Sequence, residues 1–184
     1  ERAWVESNLN TVFPLVHKKT RITKTKLGTP ITRIRLYGKK LESFVQKYEL
    51  LNRRTKIRIP KEIWTGSKEV QTAYLKSVFQ SEGYVARYPQ ATRVGLAMIS
   101  KEWVSDIQIM LSGLGIYSRT IEKTEKRNNR ENILELSINI GSERKRFAEK
   151  ISFIGRDKQE KLLQSFKLSG QKECPDLREE EVVR

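Results

Sequence analysis

Two segments of the sequence repeat each other at a spacing of 103 residues, which restricts the chain to folds built from a duplicated unit. Both copies have the same order of predicted elements: a helical segment, an extended basic stretch, a polar turn, an alternating strand, and a helix that begins just after a glycine. The corresponding residues are Gly38 and Gly141, Phe44 and Phe147, Lys47 and Lys150, Leu51 and Ile154, and Arg53 and Arg156. The two copies therefore predict two similar supersecondary units.

The second copy has a further section in front, residues 69–99, whose counterpart in the first copy would have to lie before Glu1. Its segments are a helix 69–82, strands 84–88 and 93–99, a helix 100–113, strands 116–124 and 134–140, and a helix 142–153. The first copy supplies a helix through Val5, Leu9 and Val12, strands 16–26 and 31–37, and a helix 39–51. We expect an α+β fold with one complete αββαββα repeat and the second half of a preceding repeat.

The expected division is 1–60 for the end of the first repeat, 61–155 for the complete repeat, and 156–184 for an extra helix 157–167 and a tail. In the strand 134–140, apolar residues alternate with polar ones, which is the period of an antiparallel sheet with one covered face. Ser100 is a plausible N-cap, and Gly113 is a plausible stop for the helix between them. The helices should pack on the covered face.

Charge and composition narrow the partner class. The chain has 37 Lys and Arg against 22 Asp and Glu, a formal net charge of +15, which attracts polyanions such as nucleic acid. No run of about 18 apolar residues is present, so membrane insertion is not expected. Cys174 and His17 are the only residues of their kinds, which excludes a disulfide framework, a zinc cluster and a cysteine-histidine catalytic pair. Any metal must therefore be held by oxygen.

The helix 69–82 carries a stripe of small residues. Ala73, Ser77 and Ser81 recur every fourth position, so they lie in one nearly straight row and predict a close contact with a second helix. Leu75, Val78 and Phe79 are expected to fill the core around this contact.

Glu82 stands at the C-terminal end of that helix, where the helix dipole disfavours a negative charge by roughly 0.3 to 1 kcal/mol. A bound Mg²⁺ would reverse this preference, because a carboxylate is a suitable ligand there. Gly83 has an ordinary explanation as a left-handed C-cap. Taken alone, the helix favours the ordinary interpretation of Glu82 as a solvated helix end over that of a metal ligand.

The segment 75–83 resembles the signature of the LAGLIDADG family. Leu75 stands at the leading leucine, Ser77 and Ser81 at the small positions, and Glu82 and Gly83 at the final acid and glycine. An Ile59-Pro60 step upstream, common before the second motif helix of such enzymes, adds to the likeness, which runs from about residue 5 to residue 155. Lys76 and Gln80 depart from the signature, since they replace a small residue and the first aspartate.

The resemblance implies a fold in which two motif helices pack side by side above a saddle of β-strands that binds double-stranded DNA. It implies that Glu82 is the catalytic acid and that Glu82 and Gly83 form part of a site for Mg²⁺ or another divalent cation. It also implies a second motif helix with its own acid, in the same precursor or in another chain. Members of the family cut both DNA strands, and many are embedded in inteins or introns; the intein-borne enzymes look closest in layout.

The basic residues fall into three groups along the expected strands. In the first strand pair we expect one side to be core and the other basic, and arginines on the basic side could read guanine in the major groove. The turn near residue 127 is better placed to grip phosphates. The predicted DNA contacts are His17, Lys19, Arg21, Thr23, Arg33 and Arg35 in the first strand pair, Arg87, Arg93, Arg119 and Lys123 in the second repeat, and Lys126, Arg127 and Arg130 in the turn.

The leading hypothesis is a site-specific double-stranded DNA endonuclease that works by metal-assisted hydrolysis. The alternative is a LAGLIDADG module that binds nucleic acid without cutting, as a transcription regulator or an RNA-splicing maturase. A homodimer through Ala73, Ser77 and Ser81 would leave the half repeat at the front redundant. Because nothing near the start reads as a signal or transit peptide, we expect an intracellular location, cytoplasmic or organellar.

Overall fold

The computed structural model describes residues 2–88, 91–124 and 131–167, and the chain divides into two compact units between Asn52 and Arg53. The first unit consists of α1 (Arg2–Val12), β1 (His17–Lys24), β2 (Pro30–Tyr37) and α2 (Lys40–Lys47). Its two strands form an antiparallel hairpin, and the connecting turn uses Gly28 in the left-handed region at φ 81°. Such a turn suits glycine because it has no Cβ.

The second unit begins with a 3-10 turn (Arg54–Lys56) and a short helix, neither of which was predicted. Its elements are α3 (Lys61–Trp64), α4 (Lys68–Ser81), β3 (Gly83–Tyr88), β4 (Ala91–Met98), α5 (Lys101–Gly113), β5 (Arg119–Lys123), β6 (Ile133–Ile138), α6 (Gly141–Lys150) and α7 (Arg156–Lys167). From α4 to α6 the order is the predicted αββαββα. The four strands form an antiparallel sheet in the order β3-β4-β6-β5.

The second half of the predicted repeat occurs twice in the structure. The run α1-β1-β2-α2 has the same order as α5-β5-β6-α6, with an antiparallel strand pair in each. The predicted bounds of the helix 142–153 were wrong at the end, because α6 stops at Lys150 and Ser152 has a φ of 62°. Ser100 caps α5 as predicted, and its hydroxyl accepts a hydrogen bond from the Trp103 amide at 3.4 Å.

Helices cover one face of the four-stranded sheet and enclose the core. α5 contacts β4, β5 and β6, whereas α4 and α7 contact β3. The aromatic rings of Phe79 on α4 and Phe147 on α6 meet edge to face at 4.8 Å, and Phe153 lies 5.4 Å from Phe147. The buried apolar side chains include the predicted Leu75, Val78 and Phe79 of α4 and Val104, Ile107, Leu111 and Leu114 in and just after α5.

The hairpin of the first unit differs from the prediction in one respect. We expected one side of it to be core, but none of the described residues from 2 to 52 is buried. Ile22 on the apolar side is 60% exposed, and Ile34 and Leu36 are only partly covered. The alternation was correct, whereas burial depends on a covering layer that the strand pattern does not specify. No helix within the described ranges is long and apolar enough to cross a membrane.

Replacing Phe147 with Ala should lower the free energy of unfolding by about 3 to 5 kcal/mol, because the side chain is fully buried between two other rings. Urea denaturation followed by circular dichroism measures this loss. Ile109→Ala on α5 is the matched control, since Ile109 is 60% exposed and its truncation should change stability by less than about 0.5 kcal/mol. Equal losses in both variants would contradict the assigned core.

Candidate metal centre and nucleic-acid interface

Glu82 is the single residue between the end of α4 and the start of β3. It is the C-cap of the helix, its amide donates to the Val78 carbonyl at 2.9 Å, and its side chain is exposed. No hydrogen bond or ion pair within the described ranges engages its carboxylate, and these ranges contain no group of three or more His, Cys, Asp or Glu. Because Mg²⁺ usually takes six oxygen ligands, Glu82 fits one ligand of such a site but not the complete site.

Gly83 follows Glu82 for a different reason from the one expected. Its φ is not in the left-handed region, so the C-cap explanation was wrong. A Cβ added at this position would lie 2.9 Å from the Phe79 Cα and would also collide with the Phe79 carbonyl oxygen. The glycine therefore permits close contact between the first residue of β3 and the last turn of α4, which brings Glu82 directly to the edge of the sheet.

The predicted stripe of small residues lies on the surface of α4. Ala73, Ser77 and Ser81 are all exposed. The two serine hydroxyls donate hydrogen bonds within the helix, that of Ser77 to the Ala73 carbonyl at 3.0 Å and that of Ser81 to the Val78 carbonyl at 3.1 Å. A row of small side chains whose polar groups are already satisfied can accept the close approach of another helix without leaving a hydrogen-bonding group unpaired. The predicted contact remains a prediction.

The last turn of α4 is held from the side by the segment that leads into α7. The amide oxygen of Gln80 accepts hydrogen bonds from the backbone amides of Ile154 at 3.0 Å and Gly155 at 2.8 Å. The ammonium group of Lys158 donates to the carbonyls of Gln80 and Gly83, both at 2.6 Å. A cation in this place satisfies carbonyls at the end of the helix and opposes its dipole. Neither contact was predicted, because each joins residues more than 70 positions apart.

The hairpin of the first unit has one strongly basic face. Strand pairing places Lys19 opposite Arg35 and Arg21 opposite Arg33, so the four cations lie on one face in two directly opposed pairs. His17 and Thr23 share this face, as predicted, and the His17 ring lies 5.7 Å from that of Tyr37.

These opposed cations have no acidic counterpart. Residues 17–37 contain seven Lys and Arg and not one Asp or Glu. Within the described ranges, no ion pair engages Lys19, Arg21, Arg33 or Arg35, and all four are exposed. Like charges directly opposite each other destabilise a strand pair, so folding stability alone does not favour this arrangement. A bound polyanion would remove the repulsion.

The exposed face of the four-stranded sheet carries charges of both signs. Glu135 on β6 is almost buried there and is surrounded by basic and phenolic groups. One carboxylate oxygen accepts a hydrogen bond from the Tyr84 hydroxyl, and the other lies 2.6 Å from the Lys123 ammonium and 4.0 Å from the Arg93 guanidinium. Arg93 also stacks over the Tyr88 ring at 5.5 Å. The predicted contacts Arg93 and Lys123 are thus brought together by an acid that the functional prediction had not included.

This cluster perturbs the acidity of its members. Burial opposes ionisation of Glu135, but hydrogen bonds from Lys123 and Tyr84 and the nearby positive charges outweigh it and lower the pKa of the carboxyl group. Burial, followed by the hydrogen bond to Glu135 and its negative charge, raises the pKa of the Tyr84 phenol well above its ordinary value. At neutral pH the group therefore consists of a carboxylate, an intact phenol and two cations.

The other predicted contacts are divided among several places. Arg119 on β5 is exposed and lies on the same face as Glu135. Arg87 is on the opposite, helix-covered face, because it pairs with Thr92 while its neighbour Ala86 pairs with Arg93. Its guanidinium lies 3.3 Å from the Gln164 amide oxygen of α7, so the prediction that Arg87 shares a sheet face with Arg93 was wrong. Val85 lies two residues before Arg87, so both point to the same face of the strand, and the apolar Val85 could have indicated that this face is covered. Lys126, Arg127 and Arg130 lie outside the described residues.

Comparison with known proteins shows which kind of domain the chain contains and which fold it shares. Residues 69–152 match the family of LAGLIDADG-like domains. The structure superimposes on the homing endonuclease I-DmoI in complex with DNA and Mn with a TM-score of 0.54 and 18% identity, over 81% of this chain and 71% of that one. The homing endonuclease I-WcaI bound to its DNA recognition sequence gives 0.54 and 16%, over 88% and 71%. Residues 69–152 thus form a LAGLIDADG-like domain, and the chain has the fold of the homing endonucleases I-DmoI and I-WcaI.

Two curated proteins contain a segment that is similar to part of this chain, and they are enzymes of different kinds. A segment of 114 residues is 30% identical to part of the glutamine--fructose-6-phosphate aminotransferase of Methanocaldococcus jannaschii. A segment of 80 residues is 36% identical to part of the ribonucleoside-diphosphate reductase NrdEB subunit alpha of Bacillus subtilis. These matches take up 62% and 42% of this chain, but only 10% and 7% of the two relatives.

Lys158→Met should lower the free energy of unfolding by about 1 to 2 kcal/mol, because carbonyls at the end of α4 lose a charged donor. Lys161→Met serves as the control, since Lys161 is exposed on the same helix and its change should cost less than about 0.5 kcal/mol. Both variants can be compared with the unchanged chain by chemical denaturation. A Lys158→Met variant as stable as the control would contradict the contact.

Proposed function

We propose that this chain is the DNA-binding part of a site-specific double-stranded DNA endonuclease of the homing type. The observation that carries this proposal is the face of the first hairpin, on which Lys19, Arg21, Arg33 and Arg35 are opposed in like-charged pairs without an acid. A two-stranded ribbon has the dimensions to enter the major groove. DNA is also present in the structures of I-DmoI and I-WcaI that share the fold.

The two sheets would contribute to DNA binding in different ways. The uncompensated cations of the hairpin suit phosphates and guanine edges, which gives affinity with a strong dependence on salt. On the second sheet, Arg93 and Lys123 are already engaged by Glu135, and Arg119 lies beside them on the same face. These residues are better suited to reading base edges than to neutralising phosphates.

Cleavage would take place at the end of α4. The exposed carboxylate of Glu82 would serve as a metal ligand, and Gly83 would allow the chain to turn closely beneath it. A bound Mg²⁺ or similar cation would supply activation of water and neutralisation of charge on the leaving oxygen. A second helix packed on Ala73, Ser77 and Ser81, from the same precursor or another chain, would bring the further acid that the site requires.

The matches to two enzymes of different function support an origin of this chain from a mobile genetic element. Segments similar to this chain occur in an aminotransferase and in a reductase subunit, where they occupy a tenth or less of the whole protein. A short segment shared by enzymes of different chemistry is most simply an insert. We propose that the chain comes from an intein-borne or intron-borne endonuclease, which would act inside the cell on the DNA of its host gene.

A second candidate is a LAGLIDADG module that binds nucleic acid without cutting it, as a transcription regulator or an RNA-splicing maturase. The observation that favours it is the presence of one carboxylate, Glu82, at the proposed metal position within the described ranges. The two functions share the basic face and differ in whether Glu82 is needed.

Arg21→Ala should weaken binding to a mixed-sequence DNA duplex and reduce the salt slope by about 1, because one phosphate contact is lost. Fluorescence anisotropy between about 50 and 200 mM salt measures both effects. Lys24→Ala is the matched control: Lys24 is an exposed cation on the same strand, but it lies on the opposite face. If both variants lose the same affinity and slope, binding does not use the proposed face.

When a LAGLIDADG motif helix is supplied in trans to provide the second acid, the chain should cut a plasmid library with randomised inserts in the presence of a divalent metal, and Glu82→Gln should abolish this cleavage. Linearised molecules are identified by sequencing. DNA affinity should change little, because the substitution leaves the basic face intact. Glu69→Gln is the control, since Glu69 is an exposed acid in the first turn of the same helix. Undiminished cleavage by Glu82→Gln would contradict its role. Sequence-specific binding without cleavage, even when a LAGLIDADG motif helix is supplied in trans, would favour the binding module.

A further inference from the structure

Glu135 is unusual because it is a carboxylate set inside the surface that we propose to bind DNA. Its side chain is only 8% exposed, although it lies on the uncovered face of the sheet. β6 is an inner strand, between β4 and β5, so this negative charge is near the middle of the face. A carboxylate in such a place repels phosphate and lowers general affinity for nucleic acid.

The sheet is constructed so that three strands can reach this carboxylate. Tyr84 on β3 and Glu135 on β6 are separated by β4, about 10 Å across two strand spacings. Gly95 of β4 lies directly opposite Tyr84, and a Cβ at Gly95 would come within 2.8 Å of the Tyr84 hydroxyl oxygen. The phenol thus crosses above β4 through the space that Gly95 leaves free. From the other side, Lys123 of β5 reaches the second carboxylate oxygen at 2.6 Å.

The contacts leave Glu135 as the centre of the cluster. Both of its oxygens are occupied, one by Tyr84 and the other by Lys123 with Arg93 nearby. The side chains of Lys123 and Arg93 remain 51% and 31% exposed, so their other N–H groups can still meet a ligand. Glu135 offsets one of their two positive charges, and its contacts hold the remaining N–H donors in a fixed geometry.

We infer that Glu135 is a specificity-determining positioning residue of the DNA-binding face. It holds Arg93, Lys123 and Tyr84 in one arrangement and offsets one of their two positive charges, so that this part of the surface selects base edges in the groove rather than phosphates. This inference rests on the proposed function. Base-edge contacts discriminate among sequences, whereas phosphate contacts do not.

Glu135→Gln should increase affinity for a mixed-sequence duplex at low salt and steepen the salt slope by about 0.9, because a released cation can neutralise one more phosphate. It should also reduce the sequence preference recovered when the full chain selects duplexes from a randomised library. The control is Glu122→Gln, which makes the same charge change on the neighbouring strand. Glu122 pairs with Lys101 at 2.6 Å and lies on the opposite face of the sheet. The control should retain the sequence preference and the slope of the unchanged chain.

Tyr84→Phe tests whether Glu135 acts by positioning its neighbours rather than by its charge. It removes the hydroxyl donor to Glu135 without changing the net charge, so the sequence preference should weaken while the salt slope stays the same. The inference is overturned if Glu135→Gln matches Glu122→Gln in both readouts, or if Tyr84→Phe selects the same sequences as the unchanged chain. Failure of the unchanged chain to bind any duplex would instead contradict the proposed function, and the inference with it.

Discussion

The close approach of Gly83 to Phe79 sets the position of Glu82 in the candidate metal centre. Because no side chain separates β3 from the last turn of α4, the helix passes into the sheet through Glu82 alone. The ring of Phe79 is at the same time locked against Phe147 in the core. Gln80 and Lys158 then join this turn to the segment before and within α7. Glu82 is consequently an exposed carboxylate on a rigid support, as a metal ligand requires.

The two units handle positive charge in opposite ways. In the hairpin of the first unit, cations oppose cations, and no acid within residues 17–37 offsets them. On the sheet of the second unit, Glu135 gathers Lys123 and Arg93 around one carboxylate. The first arrangement favours strong association with a polyanion, and the second limits indiscriminate association. A protein that must find one site among many needs both properties.

Most of the local structure was predictable because it depends on neighbours in the sequence. The period of the strands, the N-cap at Ser100 and the core side of α4 all follow from short patterns, and each was confirmed. The order of elements followed from the internal repeat. The acid at Glu82 was recognisable only because a helix end disfavours it and because the segment resembles a known signature.

What could not be predicted depends on contacts between distant residues. The bond from Tyr84 to Glu135 spans 51 positions, and that from Lys158 to Gln80 spans 78. Arg87 was assigned to the wrong face because whether it lies on the same face as Arg93 depends on the register of the two strands across the intervening turn. The reason for Gly83 was also misjudged, since close packing and a left-handed turn require the same residue type.

The most direct test of the account is lysine modification of the chain with and without bound duplex DNA, read out residue by residue by mass spectrometry. Lys19 and Lys24 are exposed on the same strand but on opposite faces of the hairpin. Bound DNA should protect Lys19 and leave Lys24 as reactive as in the free protein. Equal protection of the two lysines, or protection of Lys24 alone, would contradict a DNA-binding surface on the proposed face.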